Sequence, residues 1–342
     1  MYEEFFGLSR RPFSMSADPQ FLYLTAQHRE AATGLIYSVL KHKGMMTLTG
    51  EPGTGKTTVL KSVLASICGA SVKVAYVAVP TLSTAEFLEF VLLQFGLLSL
   101  ARANKAERIL MFERFLLTMF AANKTVLLIV DEAHKLSPEI LEEIRLLTNF
   151  ETGQGKLMQI VLAGQNELAE TLRQDDMVQF KQRVAYRFSL KGLSEPEVAA
   201  YIAHRWTRAG GAGSPPFDDD SIRAVATYSQ GIPRLINAIC DNALVMAFGD
   251  GATAIRAASV LDAARDLDLL NGNHANPFDG AEEGNVGLND LELLVSASSL
   301  ADNRTLLALD RHNGARKESW LVRSARKLLA IKPAGIAHEQ NL

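Results

Sequence analysis

Between residues 45 and 190, short apolar runs alternate with longer stretches of helical period. The runs MMTLTG (45–50), VKVAYVAV (72–79), TVLLIVDE (125–132) and MQIVLAG (158–164) have strand length and are apolar on both faces, the pattern of buried parallel strands. Amphipathic segments lie at about 56–68, 84–95, 105–122 and 138–150. Strand–helix alternation of this kind predicts an α/β domain in which helices cover both faces of a parallel sheet. After about residue 192 the strand pattern stops. LSEPEVAAYIAHRWTRAG, DDDSIRAVATYSQG and PRLINAICDNALVMAF all have helical period, with Asp218–Ser221 as a capping run and Gly231 as a stop.

The ends of the chain read differently. Residues 1–27 carry Phe5, Phe6, Pro12, Phe13, Pro19, Phe21 and Tyr23, which suits an ordered, extended aromatic arm. A helix is expected over about 28–43, with Ala31, Leu35, Val39 and Leu40 on one face. Residues 271–292 are rich in Asn, Gly and acid, as a linker is, whereas 311–332 hold seven Lys or Arg against Glu318 alone. That basic stretch is either an amphipathic helix for an anionic surface or partner, or a solvated terminal helix. The expected organisation is therefore an arm and helix (1–43), an α/β core (44–191), a helical domain (192–270) and a linker with a partly disordered tail (271–342).

Composition narrows the class. A length of 342 residues suits roughly two domains, and 48% hydrophobic with 21% charged residues excludes a wholly disordered chain. A net charge of −3 excludes coating nucleic acid through bulk charge, but the acidic linker and basic end leave room for a local anionic partner. Cys68 and Cys240 cannot build a disulfide framework and sit on apolar helical faces, as core residues of a protein in a reducing cytosol do. The N-terminus shows no basic-then-apolar leader, and the longest apolar runs, such as 125–130, fall far short of a membrane span. The expected location is cytoplasmic, or peripheral at the inner face of the membrane.

The chemistry concentrates in GEPGTGKTT. Gly50, Glu51, Pro52, Gly53, Thr54, Gly55, Lys56, Thr57 and Thr58 fit the phosphate-binding pattern G-x-x-x-x-G-K-[ST], between an apolar strand and a helix. Glycines let backbone amides converge on phosphate oxygens, and the positive end of the next helix adds to them. Lys56 is the residue to reach the β- and γ-phosphates of ATP, and the Thr57 hydroxyl the one to hold Mg²⁺. In VLLIVDEAH an apolar strand ends in Asp131, a second candidate Mg²⁺ ligand, and Glu132, the candidate base for water. Past the next strand, Gln165, or failing that Asn166, can bond the γ-phosphate or position the water.

These motifs, in this order, resemble the AAA+ ATPases. Among them FGLSRRPFSMSADPQFLYLTAQHREA, GEPGTGKTT, DEAH (131–134), LAGQNEL and GIPRLIN look like the ExeA-type general secretion ATPases. ATPases associated with MSHA pili and exosortases, and transposition ATPases of the TniB and TnsC type, are similar relatives. The resemblance covers about residues 1–270; Asn166 stands where that family usually has proline. It implies a P-loop (AAA+) sheet followed by a helical lid, and a nucleotide-bound homo-oligomer, either ring or filament. It also implies roles for arginines: Arg183 as the finger reaching a neighbour's γ-phosphate, with Arg187 a competitor one helical turn on, and Arg234 as the sensor-2 residue starting a lid helix. His28 lies near the adenine or is solvated, and His134 is a helix-start residue.

Three outputs fit these features. One is an ATPase coupled to assembly of an envelope secretion, pilus or exopolysaccharide machine through a protein partner. A second is an ATPase regulating transposition or another DNA transaction. The third is a slow, nucleotide-gated scaffold. ExeA-type proteins typically continue into a transmembrane segment and a peptidoglycan-binding domain; no stretch here reads as either.

Overall fold

The structure, a computed structural model, describes residues 1–15, 19–67, 71–78, 82–97 and 104–270. Cys68, the expected linker at 271–292, the basic stretch at 311–332 and the whole of 271–342 lie outside the described residues.

The chain opens with a short helix α1 (Tyr2–Phe5), a 3-10 turn (Pro19–Phe21) and helix α2 (Ala26–Leu40). The core then runs β1 (Met45–Gly50), α3 (Lys56–Ile67), β2 (Val72–Val77), α4 (Thr84–Gln94), α5 (Lys105–Ala121), β3 (Thr125–Val130), a 3-10 turn (Ala133–Lys135) and α6 (Pro138–Leu147). A small hairpin, β4 (Glu151–Thr152) and β5 (Gly155–Lys156), leads into β6 (Met158–Gly164), α7 (Asn166–Thr171), α8 (Val178–Arg183) and β7 (Val184–Leu190). Four helices complete it: α9 (Glu195–Arg208), α10 (Asp219–Ser229), α11 (Pro233–Gly249) and α12 (Ala257–Asp266).

Five strands form one parallel sheet in the order β2-β3-β6-β1-β7. The central strands are buried throughout, and their alternate residues serve opposite layers. Val126, Leu128 and Val130 pack with α4, α5 and α6, whereas Leu127 and Ile129 pack with α2 and α3. Period-two side-chain direction thus turns one apolar run into two cores.

The sheet differs from expectation at both edges. VKVAYV is not buried on both faces: β2 is an edge strand, and only Ala75 and Val77 of its six residues are buried. At the other edge, β7 occupies VAYRFSL, where polar residues alternate with apolar ones because only one face is covered. Arg187 is therefore on a strand beside β1, not one helical turn beyond Arg183.

The aromatic arm is folded onto the C-terminal helices. Tyr2, Leu8, Phe13 and Phe21 share a third core with residues of α9, α11 and α12. Arg205 fastens this contact from within: buried in α9, it donates to the Pro12 and Ser14 carbonyl oxygens and to the Tyr201 hydroxyl, and its guanidinium lies 4.9 Å from the Phe21 ring centre. A buried cation is tolerable when such acceptors and an aromatic face replace its water. Cys240 lies in this same core. Asp218 caps α10 by accepting from the Ser221 amide at 2.7 Å. No helix among the described residues is long and apolar enough to cross a membrane.

Candidate active site

Parallel strands end together, so the loops after β1, β3 and β6 gather at the carboxyl edge of the sheet. The Gly50–Thr57 loop joins β1 to α3 there. Gly53 and Gly55 adopt φ of +78° and +96°, which turn the loop back over the start of α3. Lys56 is buried and its Nζ donates to the Gly50 and Glu51 carbonyl oxygens, each at 3.0 Å, so the ammonium sits against the inner wall of the loop.

Asp131, just past β3, is 4% exposed. Its Oδ2 accepts from the Thr57 hydroxyl at 2.8 Å and from the Tyr76 hydroxyl at 2.9 Å, and its Oδ1 accepts from the Glu132 amide at 3.0 Å. Thr57 and Asp131 form a pair of hard oxygen donors, which suits Mg²⁺, an ion that takes one or two protein oxygens and completes its shell with water and phosphate. Among the described residues no cluster of three or more His, Cys, Asp or Glu offers a rival metal site. Glu132 turns through a left-handed backbone (φ 51°), and its carboxylate lies 3.5 Å from His134 Nε2 and 3.9 Å from Lys135 Nζ. His134 Nδ1 in turn accepts from the Gln165 backbone amide at 3.3 Å. Gln165 stands immediately before α7, with no side-chain cap bond, and Asn166 is the first residue of the helix, exposed.

Two further elements touch the loop. Arg234 is the second residue of α11; its amide donates to the Gly53 carbonyl at 3.4 Å, and a Cβ on Gly53 would fall 2.6 Å from Arg234 Cβ. The lid helix and the phosphate loop thus meet backbone to backbone. From α2, His28 is buried: Nε2 donates to the Thr54 carbonyl at 2.8 Å, and Nδ1 accepts from the Thr25 hydroxyl at 2.6 Å. The ring is therefore neither solvated nor open to an adenine through its nitrogens.

The candidate finger arginines are elsewhere. Val184 pairs with Met45 and Leu190 with Gly50, so Arg183 lies at the amino end of the sheet, about 20 Å along β7 from its own phosphate loop. Arg183 is half-buried near Glu151, whose carboxyl pKa it helps to lower after the larger effect of Lys156. Arg187 is exposed and donates to the Lys181 carbonyl at 3.2 Å.

Burial, above all, pushes the pKa of His28 below the ordinary 6.5, so the ring is neutral in the fold at pH 7. Below pH 6.5 the unfolded chain takes up a proton that folded His28 still refuses, and stability falls as pH drops from 6.5 towards the folded value. One such group contributes a slope of up to about 1.4 kcal/mol per pH unit. Burial lowers His134 and His204 as well, with the same sign. Urea unfolding from pH 7 to 5 is therefore expected to show falling stability, with a shallower but nonzero slope in His28→Asn. An unchanged slope in that variant contradicts the assignment.

Residues 39–172 match the family model for the AAA domain. This segment is an AAA domain. The chain is also 40% identical over 255 residues to general secretion pathway protein A of Aeromonas hydrophila, a match covering 75% of this chain and 46% of that protein. The expected likeness to the ExeA-type proteins is thereby shown, and the chain spans about half the length of that curated relative. Among solved structures, the ADP form of the Aeropyrum pernix ORC2 protein matches with TM-score 0.54 and 19% identity, covering 75% of this chain and 72% of that one. Drosophila ORC bound to DNA matches with TM-score 0.55 and 19% identity, covering 76% and 65%. At this identity the likeness concerns the fold, which is that of AAA+ P-loop proteins.

Of three further participants, Tyr76 escaped the sequence reading, while His28 and His134 were named there in other roles. Tyr76 supports Asp131 from the neighbouring strand; a hydroxyl-tipped residue one position before the end of an apolar strand was the available signal. His28 holds the loop, and His134 links the Glu132 turn to the Gln165 amide just past β6, contacts between positions 26 and 31 residues apart.

Proposed function

We propose that this chain binds ATP with Mg²⁺ in the Gly50–Thr58 loop, hydrolyses it, and couples turnover to assembly of a general-secretion-type envelope machine. The observation that carries the reading is the 2.8 Å contact between Thr57 and Asp131, which brings two motifs 74 residues apart onto one point beside Lys56 and Glu132. Loop amides and Lys56 bind the phosphates, while Thr57 and Asp131 would hold Mg²⁺, which when bound neutralises charge on the transferring phosphoryl group. Glu132 takes a proton from the attacking water, Gln165 orients that water or the γ-phosphate, and Arg234 contacts nucleotide from the lid. The secretion role rests on the 40% identity to general secretion pathway protein A, and the location it favours is the cytoplasm or the inner membrane face.

The distance of Arg183 from its own phosphate loop supports a homo-oligomer in which the arginine serves a neighbour. Arg183→Ala and Lys56→Ala are each expected to lose turnover, and mixing them to restore a measurable fraction, because the Lys56→Ala subunit donates its Arg183 to the intact loop of the other. Phosphate release by the mixture tests this, with Arg187→Ala as the parallel variant. No recovery in the mixture argues against a finger supplied by a neighbouring subunit.

A further inference from the structure

The ring of His134 joins two parts of the site that the backbone leaves separate. Nδ1 faces the Gln165 amide at 3.3 Å, and Nε2 faces Glu132 Oε2 at 3.5 Å. A backbone N–H can only donate, so Nδ1 is the acceptor and the ring proton resides on Nε2, the nitrogen 3.5 Å from the carboxylate. Burial, with Lys135 second, keeps this imidazole below its ordinary pKa, and the neutral tautomer is the one the geometry requires. The approach is tight by construction: a Cβ on Gly164 would lie 2.9 Å from the His134 backbone nitrogen, so the glycine ending β6 lets the Ala133–Lys135 turn sit against that strand.

We propose that His134 is a positioning residue for the reaction: it aims the Glu132 carboxylate and fixes its orientation to the carboxyl end of β6 through the Gln165 amide. Glu132 lies in a left-handed turn with its side chain 27% exposed, so a contact to its carboxylate selects among the rotamers that solvent leaves open. Lys135, half-exposed and 3.9 Å away, attracts the carboxylate without orienting it. Movement of Gln165 would pass through a rigid ring to the base, so the two residues read the same γ-phosphate region together. The inference rests on the reading of Glu132 as the base.

Two near-isosteric substitutions separate positioning from mere packing. The Asn side chain can place an acceptor where Nδ1 stands but cannot reach Glu132; the Gln side chain can place a donor near Nε2 but leaves the Gln165 amide without its acceptor. The proposal predicts that His134→Asn lowers kcat by about tenfold or more, with KM for ATP and Kd for ADP within about twofold of wild type, and that His134→Gln retains most of the turnover. A purely structural histidine gives the reverse order, with Asn the better substitute, and this result overturns the proposal. Wild-type kcat in His134→Asn overturns it too, as does a His134→Asn chain that does not fold, since the ring would then serve the fold. Glu132→Gln is assayed alongside. Full turnover in Glu132→Gln defeats the base reading itself, whereas its loss beside an unaffected His134→Asn defeats this inference alone.

Discussion

Lys56→Ala is expected to abolish measurable ATP and ADP binding while leaving the fold in place. The ammonium is held at the inner wall of the loop by the Gly50 and Glu51 carbonyls, where an incoming phosphate would meet it. A charge-assisted hydrogen bond contributes about 1.5–3 kcal/mol, and two to phosphate oxygens amount to about 10²- to 10⁴-fold in affinity. The fold should tolerate the loss because α3 continues through buried Val59, Leu60, Val63 and Leu64, which alanine at position 56 does not disturb. Calorimetric titration with ADP, next to a thermal unfolding scan, checks both halves: no binding heat, and a midpoint within a few degrees of wild type. Retained binding at wild-type affinity would remove Lys56 from the phosphate site.

Glu132→Gln is expected to separate binding from turnover. Glutamine has nearly the shape of glutamate, and the Glu132 amide bond to Asp131 belongs to the backbone, so the carboxyl edge of β3 should persist. What is lost is the ability to accept a proton from water, a contribution of about 10²- to 10⁴-fold in rate. Because Lys56, Thr57 and Asp131 are untouched, ATP affinity should stay within about threefold. The variant is thus expected to hold ATP without consuming it, which also makes it the form in which a nucleotide-dependent oligomer is best sought by sedimentation.

The fold was legible where one physical rule dominated. Three central strands, β1, β3 and β6, are buried on both faces and announce themselves as unbroken apolar runs, and the phosphate loop is marked by glycines that its backbone requires. Edge strands obey two rules at once. In β7, Ala185, Arg187 and Ser189 face solvent while Tyr186 and Phe188 pack inward, so its alternation was hidden and Arg187 was read as helical. The arm's aromatic residues were visible, but their partner was not, because the contact between Arg205 and Pro12 spans 193 positions.

Within the candidate site, the residues proposed to act by their own chemistry, Lys56, Thr57, Asp131 and Glu132, were named from spacing, and Thr57 does meet Asp131. The contacts that surround those residues were not. Tyr76, His28 and His134 each reach a loop from another element through a single polar atom, and that contact exists only after the sheet has set its register.

The most direct test is phosphate release from ATP in the presence of Mg²⁺, measured side by side for the wild-type chain and Glu132→Gln. The account predicts turnover by the wild type and a loss of about 100-fold or more in the variant, with ATP still bound. Equal turnover by the two chains would contradict it.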